Sequence, residues 1–170
     1  MKGDTLPLNN KFLLLFIVML SGCTLKPTSY SEIDVRFIAA ADINKNKKGQ
    51  PSPVQIFIYQ VNNRDNFSAE NPLILLSPTA PKTYHNYRRI GEIILQPGQQ
   101  KTLSLPIKTG RNTLAYVAAF RDITTDHWSV IHTVDNPPQF IWQRLLSGRP
   151  VQQAIRLQAS TLRLLEQGEL

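Results

Sequence analysis

Short apolar runs recur from Ile33 to Val134, and Pro, Gly or Asn cuts most of them off before a long helix could form. Ile33, Val35, Phe37 and Ala39 alternate with Asp34 and Arg36, the period of a strand with one buried face. Val54 to Val61 is β-branched or aromatic on both faces, which suits an inner strand. Arg89 to Leu95, Thr102 to Ile107, Thr113 to Phe120 and Trp128 to Val134 read as further strands, and Pro106 assigns its strand to an edge or an end. Gln96-Pro97-Gly98-Gln99 fits a type II turn, with Pro second and Gly third. Gly110-Arg111-Asn112 reads as another turn. Near the C-terminus, Ile155, Leu157 and Ala159 fit a strand, while Ile155, Ala159, Leu162 and Leu165 fit a helix. The strand is preferred, because an open sandwich gains a partner. Phe140 to Leu146 reads as a short helix. The strand signal lapses from Asn62 to Tyr87, where Asp65 or Asn66 can cap a short helix and Pro72, Pro78 and Pro81 stop any long one. The expectation is a mainly all-β chain, a β-sandwich of about seven strands with a partly helical insertion at 62–87.

The first residues follow another rule. Phe12 to Leu20 is an unbroken apolar run of nine, preceded by Lys2 and Lys11 and followed by Ser21-Gly22. Such a run is too short to span a bilayer and has the form of a secretory signal. Cys23 is the only cysteine in the chain and lies directly after it. Leu20-Ser21-Gly22-Cys23 resembles a bacterial lipobox, which implies cleavage before Cys23 and acylation of its thiol. A single free thiol is a liability in an oxidising compartment, and thioether capping removes it. Thr24 follows where Asp would signal retention in the inner membrane, so the resemblance implies the periplasmic face of the outer membrane. The organisation expected is a signal peptide at 1–22, a lipidated polar tether at 23–31 and a β-sandwich domain at 32–170. Removing 22 residues that carry Lys2, Lys11 and Asp4 leaves 148 residues and a net side-chain charge of +6. A chain of that length can bury one real core.

Groups that could do chemistry are sparse. His85, His127 and His132 are the only histidines, and no two have the spacing of a metal pair on one helix. No nucleophile elbow, zinc-protease motif, phosphate loop or dinucleotide fingerprint occurs. No catalysis, metal or cofactor is expected. Tyr59, Tyr116, Phe120 and Trp128 stand at strand spacing and are expected in the core. Lys45, Lys47 and Lys48 crowd one loop, and Arg88 and Arg89 form a second basic doublet. Either serves solubility or attracts an acidic surface. Nucleic acid does not fit a lipidated periplasmic address or so thin a basic footprint.

Four segments follow one another in a telling order: Asn44 to Gln60, with Gly49-Gln50-Pro51-Ser52-Pro53 before the strand; Asn66-Phe67-Ser68-Ala69-Glu70; Leu95-Gln96-Pro97-Gly98; and Val117-Ala118-Ala119-Phe120-Arg121-Asp122, with Trp128 beyond. That order resembles the outer-membrane lipoproteins of type VI secretion systems, the TssJ family (also SciN or VasD). The resemblance implies a transthyretin-like sandwich and a structural lipoprotein anchored through Cys23. Its implied partner is the periplasmic C-terminal domain of TssM and, through it, the TssL-containing membrane complex. It also implies that the loop after the first strand, Ile43 to Ser52, contributes to TssM binding. That loop exceeds the usual hairpin length of roughly 2–5 residues. Ile43 is its one large apolar residue and the expected anchor. Asn44 and Asn46 flank Lys45, and Lys47, Lys48, Gly49 and Gln50 form the tip. Pro51, with Ser52 and Pro53, stiffens the exit. The lysines belong on an interface rim. Two other readings stand beside this one: a periplasmic binding module or carrier of a small apolar ligand, and a hydrolase with a diffuse site.

Overall fold

The computed structural model describes residues 30–79, 81–123, 127–136 and 151–165. Eight strands form two four-stranded sheets. One sheet has the order β4-β1-β7-β8, with β1 at Tyr30–Ala39, β4 at Gln100–Lys108, β7 at Val151–Gln158 and β8 at Thr161–Leu165. The other has the order β3-β2-β5-β6, with β2 at Val54–Val61, β3 at Tyr87–Leu95, β5 at Gly110–Ala118 and β6 at Ser129–Asn136. Pairing is antiparallel except between β1 and β7, which run parallel with Phe37 opposite Ile155. This is the mainly-β fold expected, with the eighth strand arising because the C-terminal stretch is a hairpin. Among the described residues, no helix is long and apolar enough to cross a membrane.

Several boundaries differ from the sequence reading. β1 takes in Tyr30 and Ser31, which pair with Lys108 and Ile107, so the first strand begins inside the expected tether. Gly110 to Asn112 do not turn: they open β5 opposite Asp135 and its neighbours, and only Thr109 separates β4 from β5. Gly110 adopts a φ of 99°, a left-handed angle that lets the chain pass between the sheets in so short a link. The Gln96–Gln99 turn has Gly98 at φ 76° and a Gln99 N–H to Gln96 carbonyl bond of 3.0 Å, and it too crosses between sheets. β5 ends at Ala118, before Phe120. Pro106 does sit on an edge strand, β4. The helix expected at 140–146 lies outside the described residues.

The sandwich has two apolar clusters. The first lies between the sheets and includes Phe37, Ile56, Ile58, Leu105, Tyr116 and Leu157. The second lies on the outer face of the β2–β5 sheet, under the insertion. There Phe57, Tyr59, Ala115 and Val117 meet Phe67 and Leu75, which come from two short helices, α1 (Arg64–Ser68) and α2 (Pro72–Leu75). Asn63 and Asn71, rather than Asp65 or Asn66, cap these helices, accepting from the amides of Asn66 and Leu73. Covering both faces is what an inner strand as apolar as β2 requires.

Candidate functional site

Four connections meet at one end of the sandwich: residues 40–53 between β1 and β2, the 96–99 turn, the chain after β5, and the β7–β8 turn. Hydrogen bonds tie them together. The Gly98 amide donates to the Ala40 carbonyl (3.1 Å) and the Leu162 amide to the His127 carbonyl (2.9 Å). Asn44 is the hub. Its backbone amide donates to Ala159 O (2.8 Å), its Nδ2 donates to Pro53 O (2.5 Å), and its Oδ1 accepts from the Arg121 amide (2.8 Å). Its φ of 50° lies in the left-handed region, which Asn tolerates better than most residues. Asn44 is 4% exposed.

Beyond that hub the loop builds its own turn. Asn46 Oδ1 accepts from the amides of Lys48 (2.9 Å) and Gln50 (3.0 Å). The Asn46 amide donates to the Gln50 carbonyl (2.8 Å), and the Gly49 amide to the Asn46 carbonyl (2.8 Å) with Gly49 at φ 75°. Asn is suited to this because its short side chain can close the turn on its own backbone. Lys45, Lys47, Lys48, Gly49, Gln50 and Pro51 are exposed around it. Lys45 reaches Asp42 at 3.3 Å, a solvent-exposed pair of little energetic weight. Arg121, also exposed, adds another cation at this end.

The structure therefore divides the ten residues expected to dock. Ile43 is not exposed, as an anchor would have to be: it is fully buried in the intersheet core. Burial of that apolar surface outweighs any role as an exposed anchor. Asn44 and Ser52 are also buried, and the Ser52 amide donates to the Ile43 carbonyl (3.2 Å) at the neck of the loop. Lys45 to Pro51 form the accessible tip. The sequence held one signal for Asn44 that the reading missed, an Asn between a buried apolar residue and a lysine-rich turn, which marks a left-handed bend.

The second basic doublet also divides. Neighbours on a strand face opposite ways. Arg88 is exposed, while Arg89 is 8% exposed and enters the outer cluster. Its guanidinium lies 4.4 Å from the centre of the Phe57 ring and donates to the carbonyls of Ser77 (2.6 Å) and Pro78 (3.3 Å) and to the Tyr59 hydroxyl (3.1 Å). Arg89 is thus a clamp between insertion and sheet and no part of a surface field. The Tyr59 hydroxyl donates to the Leu75 carbonyl (2.5 Å), and burial raises its pKa above the ordinary tyrosine value despite the opposing effect of Arg89. Tyr59, Tyr116 and Phe120 are buried as expected, but Trp128 is only half-buried, packing against both clusters. His132 is partly exposed on β6. Among the described residues, no three of His, Cys, Asp and Glu gather where a metal ion could be held.

The family model for the type VI secretion lipoproteins VasD, EvfM and TssJ matches residues 31–160. The chain belongs to that family. The match takes in both sheets through β7 and includes the Asn44 loop. Solved structures with the same fold include the type VI secretion lipoprotein TssJ1 of Pseudomonas aeruginosa, 20% identical, with a TM-score of 0.55 and coverage of 82% of this chain and 95% of that one. Lip of Serratia marcescens, a membrane-bound component of the type VI secretion system, is 17% identical with a TM-score of 0.59, over 80% of this chain and 98% of that one. A chain solved in work on the TssM C-terminal domain from EAEC is 19% identical with a TM-score of 0.56, over 79% of this chain and 98% of that one. No curated protein matches the chain. The family is one of structural type VI secretion lipoproteins and is not a known enzyme class.

Proposed function

We propose that this lipoprotein is held at the periplasmic face of the outer membrane through acylated Cys23. There it docks the periplasmic C-terminal domain of TssM with the loop tip Lys45 to Pro51, and through TssM joins the TssL-containing membrane complex. The observation that carries the reading is the Asn44 hub, which ties an exposed, basic, self-closed turn to two other connections and to its own exit at Pro53. A loop that is ordered before binding loses less conformational entropy on docking. Its lysines act mainly on the rate of encounter with an acidic surface. Ile43 drops out as the anchor, and the loop's contribution rests on its backbone shape and charge.

Titration calorimetry and stopped-flow binding of the acylated chain against purified TssM domain test this. The triple variant Lys45→Glu, Lys47→Glu, Lys48→Glu should fold normally and associate roughly ten-fold or more slowly at low salt. Unchanged association would move the docking site elsewhere, with the insertion at 62–87 the next surface to probe. For the anchor, Cys23→Ser should give an uncleaved precursor that takes up no radioactive palmitate, and equal label in the variant would sink the lipidation reading.

A further inference from the structure

The other end of the sandwich carries an open groove of about 690 Å³. It lies where β1, β3 and β5 begin and β2 and β4 end. Tyr30, Arg88, Lys108 and Arg111 line it. Tyr30 is 52% exposed, an amphipathic ring at the first residue of β1 and opposite Lys108 in the pairing register.

The polar side chains there are organised. Arg88 donates from Nη2 to Gln60 Oε1 (2.9 Å), and Gln60 donates from Nε2 to Asn112 Oδ1 (2.8 Å). Asn112 is buried and donates in turn to the carbonyls of Lys108 (2.8 Å) and Gly110 (2.9 Å). This relay fixes the Arg88 guanidinium at the groove through a neutral amide, which leaves its charge uncancelled by that bond. Arg111 contacts Asp135 at 3.3 Å, with both side chains more than two-thirds exposed, a pair that water and salt weaken readily.

The position of this groove is set by the chain. Six residues, or seven backbone steps, separate Cys23 from Tyr30. Fully extended they reach at most about 25 Å. β1 then runs ten residues away from the groove toward the Lys45–Pro51 loop, a further rise of about 30 Å. If acyl chains hold Cys23 in a bilayer, the groove end is the end that the membrane surface can touch, and the docking loop is directed away from it.

We propose that the tether end of the sandwich is a seat for anionic phospholipid headgroups, in which Arg88, Lys108 and Arg111 contact the phosphodiester and Tyr30 lies at the water–lipid boundary. The site rests on the acylation of Cys23 proposed above. Arginine suits it because its planar fork matches phosphate oxygens, and tyrosine is favoured at membrane interfaces because one end is apolar and the other polar. The consequence for assembly is orientation. A lipid tether alone lets the domain tumble, whereas a seated groove holds the docking loop toward the periplasm.

The test uses the full acylated chain reconstituted in vesicles that contain a nickel-chelating lipid. A nitroxide is placed at the groove rim (Thr83→Cys) or, as a control, on the loop (Lys47→Cys). In vesicles of phosphatidylethanolamine and phosphatidylglycerol, the groove label should be relaxed by the surface nickel and the loop label should not. Reversal of Arg88 and Arg111 to Glu should lower the ratio of seated to free domains by at least about 25-fold, on the basis of roughly five-fold per cation at an anionic surface. Changing the same two residues to Lys should retain seating. In pure phosphatidylcholine, seating should be lost. A groove label that stays remote from nickel while mass spectrometry shows acylated Cys23 overturns the headgroup site and leaves the anchor reading intact. Seating that is equal in phosphatidylcholine, unaffected by charge reversal, or abolished by soluble glycerophosphate at millimolar concentration also overturns it. An unacylated Cys23 overturns both.

Discussion

Replacing Asn44 with Ala removes two part-buried side-chain hydrogen bonds while leaving the backbone bond to Ala159 in place. The Arg121 amide and the Pro53 carbonyl lose their partner at the neck of the loop. Each group left without one costs about 1–3 kcal/mol where water cannot replace it, and the lower half of that range applies because Arg121 and Pro53 are themselves exposed. Ala at φ 50° adds about 1 kcal/mol that Asn largely avoids. The sum predicts a loss of about 3–5 kcal/mol, or roughly 6–20 °C in Tm for a domain of this size. Asn44→Gly removes the same bonds without the backbone strain, so it should be less destabilised than Asn44→Ala by about 1 kcal/mol. Urea denaturation of the three proteins gives both differences, and the midpoint should move with m unchanged. If the loop docks the TssM domain as proposed, calorimetry should show weaker binding for both variants, because the tip is held to the sandwich by fewer bonds. A loss below about 0.5 kcal/mol for Asn44→Ala, or equal stability of the Ala and Gly variants, would refute the hub assignment.

Arg89→Met keeps much of the apolar stem but abandons the Ser77 and Pro78 carbonyls, and should cost about 2–4 kcal/mol by denaturation while opening the insertion to limited proteolysis before the sandwich. Arg89→Lys should be costly too, since an ammonium cannot span both carbonyls and the Tyr59 hydroxyl with the same fork; stability equal to the parent would count against the clamp. Burial raises the pKa of Tyr59, Tyr87 and Tyr116, and for Tyr87 the nearby Glu70 carboxylate raises it further. The folded state therefore holds these protons more tightly than the unfolded chain, so stability should be fully present below about pH 10 and fall as pH rises beyond it. Tyrosinate absorbance recorded alongside denaturation checks this, and a flat stability profile from pH 9 to about pH 12 would contradict it. Trp128→Ala should cost about 1–3 kcal/mol, less than full burial would give, because the ring is only partly buried against two clusters; a loss as large as that of a fully buried Trp would contradict this.

Much of the fold was legible because strand signals are local. β2 was bounded as found, Val54 to Val61, since an apolar run between Pro53 and Asn62 has few other states open to it. Pro106, whose missing amide cannot serve an inner strand, left β4 an edge place or an end there, and the sheet order makes it an edge strand. The candidate site was legible as a loop and illegible as a geometry. Length and lysines marked residues 43–52, but nothing local says that Ile43 points inward, or that Asn44 bonds to Arg121, which stands 77 positions away in sequence. Such bonds depend on which connections the sheets bring to one end.

β3 shows most clearly what the sequence could not decide. Tyr87 and Arg89 face the outer cluster, while Ile93 and Leu95, which the same alternation would put beside them, face the intersheet core. The pairing with β2 shifts between Ile58 and Tyr59, where Tyr59 stands opposite Arg89 and Ile58 opposite Gly91, so Ile90 is the extra residue of a bulge. One extra residue exchanges the two faces of everything beyond it. The sequence by itself determined where most strands lie, the Gln96–Gln99 turn and the scarcity of recognisable catalytic motifs, because each depends on neighbours within a few residues. Only the tertiary structure decided which of two adjacent arginines is buried, which loop residues are exposed, and at which end of the sandwich β1 begins. Those outcomes are set by sheet order, by register and by the cover the insertion places on the second face.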